Sequence, residues 1–252
     1  MDRHLPVNAE PREYALMGVS CTAYRDDREA VEHVKSLVLR GAQGFTVAIG
    51  AEKIVRCQND EAFRTLVRSA VVKVPDGGGA LLALRFLRNV RSAKVDFPKA
   101  ALQAAAELGE RCRLGIIGAS EESHQGAIAE IRRRHPSIHI VMHRSGFVPH
   151  DDLLRELLAT QPQLCLVAMG TPKQEHFAGR ALQAGIRCLF VGCGGALDIL
   201  SGHVKRAPRW MVDNYLEWLY RALLQPSKWR RQWFIPAFAV RLLKARLSGE
   251  AE

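Results

Sequence analysis

Short apolar runs alternate with longer segments of helical periodicity along most of this chain of 252 residues. The apolar runs are typical of buried strands, and they cover residues 45–49, 71–74, 114–117, 138–143, 164–169 and 187–191. The helical segments cover residues 27–40, 60–70, 80–87, 100–108, 121–134, 151–160 and 173–184. This alternation predicts parallel βαβ units, and therefore an α/β fold in which a Rossmann-like parallel sheet carries helices on both faces.

Four of the predicted strands are followed by glycine or other small residues, at 75–79, 118–120, 170–172 and 192–195. Ligands of parallel sheets bind at the carboxyl ends of strands, where small residues let a ligand approach the backbone and helix N-termini favour phosphate. We therefore expect strand-end glycines to line a substrate site. The candidates are Gly118, Gly170, Gly194 and Gly195.

A cluster of polar residues follows one of these strand ends. Lys173, Gln174 and Glu175 come directly after Gly170-Thr171-Pro172. The first turn of a helix explains the proline, but the helix dipole does not favour a lysine there. The cluster predicts a hydrogen-bonding site for a polar ligand.

Asp76 stands between a predicted strand and three glycines, in the sequence Pro75-Asp76-Gly77-Gly78-Gly79. Aspartate is common in turns for purely structural reasons. The alternative interpretation is a carboxylate on a preformed turn that takes a proton from a hydroxyl group. The residue pattern by itself leaves both interpretations open.

The C-terminal part of the chain is basic and aromatic. Residues 203–247 hold all four tryptophans and ten Lys or Arg against two acidic residues, so most of the net charge of +10 lies there. Indole rings settle at the headgroup level of a bilayer, and anionic lipid attracts cations. One helical stripe consists of Ala239, Val240, Leu243 and Leu247. The stripe predicts an interfacial helix or, alternatively, an amphipathic helix packed on the domain.

These features divide the chain into three expected parts. Residues 1–13 are a loose N-terminus, residues 14–203 an α/β domain, and residues 204–252 a helical appendage that associates with a membrane surface. The N-terminus has no signal pattern, and no run reaches the ~18 apolar residues that span a bilayer. The six cysteines lack C-x-x-C spacing. We therefore expect a reduced cytoplasmic protein with buried thiols and no structural zinc.

Neither a cofactor nor a metal ion is expected. The turn at 192–195 is not a G-x-G-x-x-G fingerprint, which gives a nicotinamide cofactor little support. The chain also lacks an Asp-x-Asp pair of the kind that holds a divalent ion on a nucleotide sugar.

Four segments of the chain share their motifs with one family. Residues 167–175 (VAMGTPKQE) contain G-x-P-K-Q-E, and residues 75–79 match P-D-G-x-G. Residues 191–208 (VGCGGALDILSGHVKRAP) are close to G-V-G-G-x-F-D-x-x-x-G-x-x-x-R-A-P, and residues 216–221 (LEWLYR) begin a matching tail motif. On these residues the chain resembles the WecG/TagA/CpsF glycosyltransferases, glycosyltransferase family 26.

The resemblance implies a glycosyltransferase that moves a sugar, with inversion and without a metal, from a UDP-sugar to a polyprenyl-diphosphate-linked sugar. Its products would serve cell-surface or exopolysaccharide biosynthesis at the inner face of the cell membrane. The resemblance makes Asp76 the catalytic base and places Gln174 in the active site. The tail would close over the donor and bring cationic side chains to the diphosphate. The matching positions are Arg221, Lys228 and Arg231, with lysine at 228 where arginine is usual. Lys94, Lys173 and Asp198 are expected to bind substrate.

The amino-terminal half departs from the family pattern. Where the family has T-x-N-A-E, this chain has Ala48-Ile49-Gly50-Ala51-Glu52, and where it has R-V-x-G-x-D, this chain has Lys94-Val95-Asp96-Phe97-Pro98-Lys99. The donor is therefore open between N-acetylmannosamine, which is usual in the family, and glucose or another hexose.

Two other functions stay open at this point. One is a family member that binds nucleotide sugar without catalysis. The other is a nucleic-acid-binding protein, although no RRM, KH or helix-turn-helix pattern supports it and we expect no nucleic-acid partner. A homo-oligomer formed through the apolar tail is an alternative to membrane attachment.

Overall fold

A computed structural model of the protein describes residues 10–205, 207–213, 220 and 234–248. Its strands are β1 (Glu13–Leu16), β2 (Val19–Thr22), β3 (Gly44–Ile49), β4 (Val72–Pro75), β5 (Leu114–Gly118), β6 (Ile140–Arg144), β7 (Leu164–Ala168) and β8 (Leu189–Gly192). Its helices are α1 (Asp27–Leu39), α2 (Ala51–Asn59), α3 (Glu61–Arg68), α4 (Gly77–Arg88), α5 (Phe97–Leu108), α6 (Glu121–Arg134), α7 (His150–Thr160), α8 (Lys173–Gln183), α9 (Ala196–Leu200), α10 (Arg209–Asp213) and α11 (Phe234–Ser248).

Six strands form one sheet in the order β4-β3-β8-β7-β5-β6. Every neighbouring pair in this sheet is parallel. Strands β5 and β7 are buried along their whole length, because helices cover both faces of a parallel sheet. The predicted α/β fold with a parallel sheet and helices on both faces is confirmed.

Two hydrophobic cores lie on the opposite faces of the sheet. Successive residues of β7 show the division, since Cys165 and Val167 belong to one core and Leu164 and Leu166 to the other. The first core includes buried residues of α2, α3, α4, α7, α8 and α11. The second includes buried residues of α1, α5, α6 and α9. All six cysteines are free and buried, as the sequence predicts.

Strands β1 and β2 form a separate antiparallel hairpin, which the sequence analysis missed. Its turn residues Met17 and Gly18 both have positive φ, 47° and 87°. Turns of this kind match the twist of hairpin strands, and Asn-Gly is their usual sequence signal. Methionine at the first position hides that signal. Strand β1 begins at Glu13, at the boundary of the expected loose N-terminus.

The six predicted strands of the sheet and the seven predicted helices are all present, with ends that differ by no more than three residues. Helix α5 begins three residues early because the Asp96 side chain accepts the backbone N–H of Lys99 and caps it. The sequence does not predict α2. This helix buries only Ile54 and Cys57, and its N-cap, Gly50, has no side chain. Neither apolar periodicity nor a capping residue marks it.

Helix α11 packs on α2 and α4. Its buried residues are Phe238, Leu242 and Ala245, which join the first core. Arg241 holds the helix in place from the side. Its guanidinium donates to the carbonyl oxygen of Val55 and to Oδ1 of Asn59, both at 3.0 Å.

The predicted apolar stripe of α11 stays exposed on the side away from that contact. Val240 is 55% exposed, Leu243 54% and Leu247 78%. The helix therefore packs on the domain, as the interpretation of an amphipathic helix expects. It also exposes the apolar stripe that the interpretation of an interfacial helix requires. In the described part of the chain, no helix combines the length and apolarity that crossing a bilayer requires.

Candidate active site

The carboxyl ends of the six parallel strands lie along one edge of the sheet. After β3 the chain enters α2 on one face, whereas after β8 it enters α9 on the other. A parallel sheet opens a crevice where successive helices diverge in this way. Strands β3 and β8 border the crevice, and β4 and β7 lie one strand further out on either side, three strand positions apart, or about 14 Å at the usual strand spacing. Asp76 follows β4 and Gln174 follows β7, so the two predicted catalytic residues flank it.

Asp76 occupies the N-cap position of α4. Its backbone N–H donates to the carbonyl oxygen of Ile49 at 2.8 Å, which ties the ends of β3 and β4 together. Its side chain is exposed and makes no capping hydrogen bond, although an N-cap aspartate usually accepts from the first turn of its helix. The carboxylate is thus not tied to the first turn of its own helix, and its role as a base stays a prediction.

The glycines after Asp76 allow three helices to meet beside it. Gly77 has a φ of +70°, which favours glycine. A Cβ on Gly79 would stand 2.7 Å from the Cβ of Ala51 in α2 and 3.5 Å from the ring of Phe238 in α11. The P-D-G-x-G glycines therefore have a packing role that positions the catalytic candidate.

Gln174 is buried in the first turn of α8, and its carboxamide is held at both ends. Its Oε1 accepts the backbone N–H of Gly194 at 3.2 Å, and its Nε2 donates to Oε1 of Glu175 at 3.3 Å. A Cβ on Gly192 would overlap Nε2 of Gln174. The side chain therefore crosses the end of β8 and lies in the crevice.

Two further residues belong to this site: Glu175, which the sequence placed in the polar cluster without a role of its own, and Lys53, which sequence reasoning missed. Glu175 is 1% exposed, and its Oε1 accepts from the hydroxyl of Thr171 at 2.8 Å and lies 3.5 Å from Nζ of Lys53. The sequence contains only a weak signal for a separate role of Glu175, because the helix dipole already explains an acidic residue in the first turn of a helix. Lys53 lies in α2, which the sequence does not predict.

The turn that follows β8 carries the next group of candidates. Gly194 has a φ of +49°, and the exposed Gly195 stands at the N-cap of α9. Burial raises the pKa of the Cys193 thiol to about 12, and the nearby charges of Asp96 and Asp198 raise it too. These two carboxylates therefore lie around the turn. Substrate binding by Gly194, Gly195 and Asp198 stays a prediction.

Lys94 connects the domain to the described part of the appendage. Its Nζ lies 3.4 Å from the carbonyl oxygen of Val212 in α10, to which it donates. Since Lys94 is two residues from Asp96, α10 docks close to the 192–195 turn. The three predicted diphosphate ligands of the tail, Arg221, Lys228 and Arg231, lie outside the described residues.

Three further candidates lie at the ends of β5 and β7. Gly118 is buried, with a φ of +118°, and a Cβ there would stand 2.5 Å from the carbonyl carbon of Ala168. It therefore has a structural role in the close approach of the two strands. Gly170 and the exposed Lys173 border the crevice beside Gln174. Substrate contacts of all three stay predictions.

A buried histidine pair lies beyond Gly118. His124 is fully buried, and its Nδ1 donates to the carbonyl oxygen of Gly118 at 3.0 Å. Its Nε2 lies 3.2 Å from Nδ1 of His143, and the rings are stacked. Burial lowers the pKa of both rings, and the charges of Arg132 and Arg144 lower that of His143 further. Within the described residues, no group of three or more His, Cys, Asp or Glu is placed to hold a metal ion.

A comparison with protein families identifies the family of the chain. The model of the Glycosyl transferase WecG/TagA/CpsF family matches residues 14–252. The protein is therefore an enzyme, and its class is that of the glycosyltransferases. It belongs to the WecG/TagA/CpsF family, which confirms the resemblance found in its motifs.

Two relatives from Bacillus species are similar to the chain, and both are called N-acetylglucosaminyldiphosphoundecaprenol N-acetyl-beta-D-mannosaminyltransferase. The protein of Bacillus subtilis (strain 168) is 32% identical over 189 residues, which are 73% of this chain and 73% of that protein. The protein of Bacillus spizizenii is 28% identical over 219 residues, which are 85% of this chain and 84% of that protein.

Proposed function

We propose that the protein transfers a hexose or an N-acetylhexosamine from a UDP-sugar to a sugar linked to polyprenyl diphosphate, with inversion at the anomeric carbon. The observation that carries this proposal is the exposed, uncapped carboxylate of Asp76 at the edge of a crevice in which Gln174 is held. The names of the two relatives support the acceptor, because they describe transfer to N-acetylglucosaminyl-diphosphoundecaprenol.

In this proposal Asp76 is the general base. Its carboxylate takes the proton of an acceptor hydroxyl while the hydroxyl oxygen attacks the anomeric carbon from the side opposite UDP. The new glycosidic bond forms as the bond between the anomeric carbon and the diphosphate oxygen breaks, and UDP leaves with the electron pair. A positioned base of this kind contributes about 10²- to 10⁴-fold in rate.

The leaving diphosphate gains negative charge, which must be stabilised by donors that are already in place. We assign this role to the cations Lys173, Arg221, Lys228 and Arg231, without a metal ion. In the described structure the N–H of Gly194 is taken by Gln174, so a phosphate contact there requires Gln174 to move. Gly195 is exposed and needs no such movement.

Membrane attachment belongs to the same proposal, because a polyprenyl-linked acceptor stays in the bilayer. The exposed stripe of α11 would enter the headgroup region of the inner face of the cell membrane. Lys244 is also exposed on this helix and would meet anionic lipid.

The donor sugar depends on the space beside Asp76. Position 50, where the family has asparagine, is Gly50, and a Cβ there would be in ordinary contact, 3.4 Å from the carbonyl oxygen of Asp76. An asparagine side chain would therefore start next to the proposed base, and this chain leaves that space open. We infer that the donor is N-acetylmannosamine or a hexose such as glucose.

The test is release of UDP by the full-length protein from a panel of UDP-sugars, with N-acetylglucosaminyl-diphosphoundecaprenol in vesicles as the acceptor. We expect release with one donor, only when the lipid is present, and unchanged in EDTA. The lipid product should gain the mass of one hexose or one N-acetylhexosamine. UDP binding without release from any donor would indicate a nucleotide-sugar-binding protein, and a strict need for magnesium would contradict metal-free transfer.

A further inference from the structure

The carboxylate of Glu175 is the most deeply buried charged group beside the proposed site. One of its oxygens, Oε1, receives three donors: the hydroxyl of Thr171, Nζ of Lys53 and Nε2 of Gln174. The other oxygen, Oε2, is buried and has no hydrogen-bond partner in the part of the chain that the structure describes. The carboxylate is therefore oriented by one oxygen alone.

Stability alone does not account for this arrangement. A buried carboxylate with one unsatisfied oxygen is costly, and replacing buried ion pairs by apolar groups is often neutral or stabilising. The space around Glu175 is lined largely by apolar groups, including Phe45, Ala178 and Phe190. A methionine side chain has the length and flexibility to fill it. The carboxylate therefore calls for an explanation other than packing.

Its effect on Gln174 supplies that explanation. A carboxamide can be turned by half a rotation, which exchanges its oxygen and its nitrogen. The N–H of Gly194 requires the oxygen on one side, and the carboxylate of Glu175, which only accepts, requires the nitrogen on the other. Both contacts select the same orientation. Lys53 and Thr171 keep the carboxylate in place for this contact.

We propose that Glu175 is a positioning residue that locks the carboxamide of Gln174 in one orientation for sugar transfer, a role that rests on the proposed function. Nε2 of Gln174 carries two hydrogens, and Glu175 takes one of them. The fixed orientation keeps the second for an oxygen of the substrate in the crevice. Gln174 therefore acts as a hydrogen-bond donor to substrate, and Glu175 acts only through Gln174.

The first test compares turnover with folding in Glu175→Met. We expect kcat to fall about 10- to 100-fold, because a misplaced active-site group costs rates of this order. The midpoint of thermal unfolding should stay close to that of the wild type, because an apolar group replaces the buried carboxylate and the ammonium of Lys53, whose side chain is 16% exposed, can turn toward solvent. A merely structural role predicts the opposite, a lower midpoint together with the lower rate. Thr46→Val is the matched control, because Thr46 is also buried and lines the same space from β3.

Glu175→Gln is the second variant and covers the case in which Glu175→Met does not fold. It keeps the shape of the side chain but puts an NH₂ group either against Nε2 of Gln174 or into the apolar space. We expect kcat to fall here as well, with KM for the donor changed less than kcat. Wild-type kcat in a folded Glu175→Gln protein overturns the proposal.

A double-mutant cycle decides whether Glu175 acts through Gln174. In the Gln174→Ala background, the Glu175 substitution should lower kcat by less than twofold, because there is no carboxamide left to orient. Losses that multiply in the double variant contradict the positioning role while leaving the proposed function intact. A wild-type protein that releases no UDP with any donor removes the proposed function and this role together.

Discussion

The carboxamide of Gln174 occupies the place that a side chain of Gly192 would take. A Cβ on Gly192 would overlap Nε2 of Gln174 and come to 3.0 Å from its Cδ. The side chain of Gln174, which follows β7 in the first turn of α8, crosses the last residue of β8. That residue is therefore a glycine, which has no side chain to obstruct Gln174. This contact joins the ends of β7 and β8 and fixes Gln174 in the crevice.

Gly192→Ala should therefore lower activity more than stability. The methyl group pushes the end of the Gln174 side chain aside and separates it from Gly194 and Glu175. We expect kcat to fall on the order of 10²-fold. The free energy of unfolding should change by less than about 1 kcal/mol, because the obstructing atoms end a flexible side chain. Steady-state kinetics and urea unfolding measure the two effects, and unchanged kcat would show that Gln174 has no part in transfer.

Gly118→Ala should affect stability instead, with Gly179→Ala as its counterpart. Gly118 combines a φ of +118° with a position at which a Cβ would overlap the backbone of Ala168, so we expect a loss of about 2–4 kcal/mol. Gly179 lies inside α8, and in the described structure a Cβ there would meet nothing within 4 Å. Alanine should therefore stabilise the protein by about 0.5–1 kcal/mol. Equal unfolding midpoints for the two variants would contradict this account.

Asp76→Asn should remove the base and leave the fold intact. The side chain is exposed and caps nothing, so the midpoint of thermal unfolding and the affinity for UDP should match those of the wild type. We expect kcat to fall about 10²- to 10⁴-fold. UDP release from the donor found in the panel measures the effect. Turnover close to wild type would take the role of base away from Asp76.

The histidine pair should make stability depend on pH. Burial lowers the pKa of His124 and His143 in the folded state, so above about pH 7 both rings are neutral in both states. As the pH falls through ~6.5, the unfolded chain takes up protons that the folded chain does not, and the free energy of unfolding decreases. The slope is about 1.4 kcal/mol per pH unit for each proton.

His143→Phe tests this prediction, because it keeps a ring against His124 and removes one titrating group. Urea unfolding between about pH 7.5 and about pH 5.5 should show a smaller loss of stability than in the wild type. Other histidines, such as His33 and His135, are present in both proteins, so their contributions to the pH dependence cancel in the comparison. The same slope in both proteins would mean that the pair does not titrate as argued.

The exposed stripe of α11 should bind lipid. Leu243→Glu combined with Leu247→Glu removes two apolar side chains and repels anionic headgroups. We expect the affinity for vesicles that contain phosphatidylglycerol to fall on the order of 10²-fold or more. Leu39→Glu is the control, because Leu39 is 58% exposed but lies on α1, which packs on the other face of the sheet. If the double variant and the Leu39→Glu control bound vesicles equally well, the stripe would be excluded as the lipid contact.

Local sequence determined the class of fold and two key positions of the candidate site. Apolar periodicity depends only on near neighbours, so it predicted the six strands of the parallel sheet. Asp76 and Gln174 were identifiable because each stands in a short motif that the chain shares with its family, whereas the residue pattern alone left the role of Asp76 open. The hairpin turn at Met17 and the uncapped helix α2 were not predicted, because their sequences lack the usual local signals.

The tertiary structure decided the strand order and every contact that makes the strand ends into a site. Gln174 meets Gly194 twenty residues along the chain, and Glu175 lies beside Lys53 from a helix more than a hundred residues earlier. Which face of α11 is buried likewise depends on α2 and α4. Such contacts follow from the way distant segments pack together, and periodicity within a single segment carries no information about its neighbours in space.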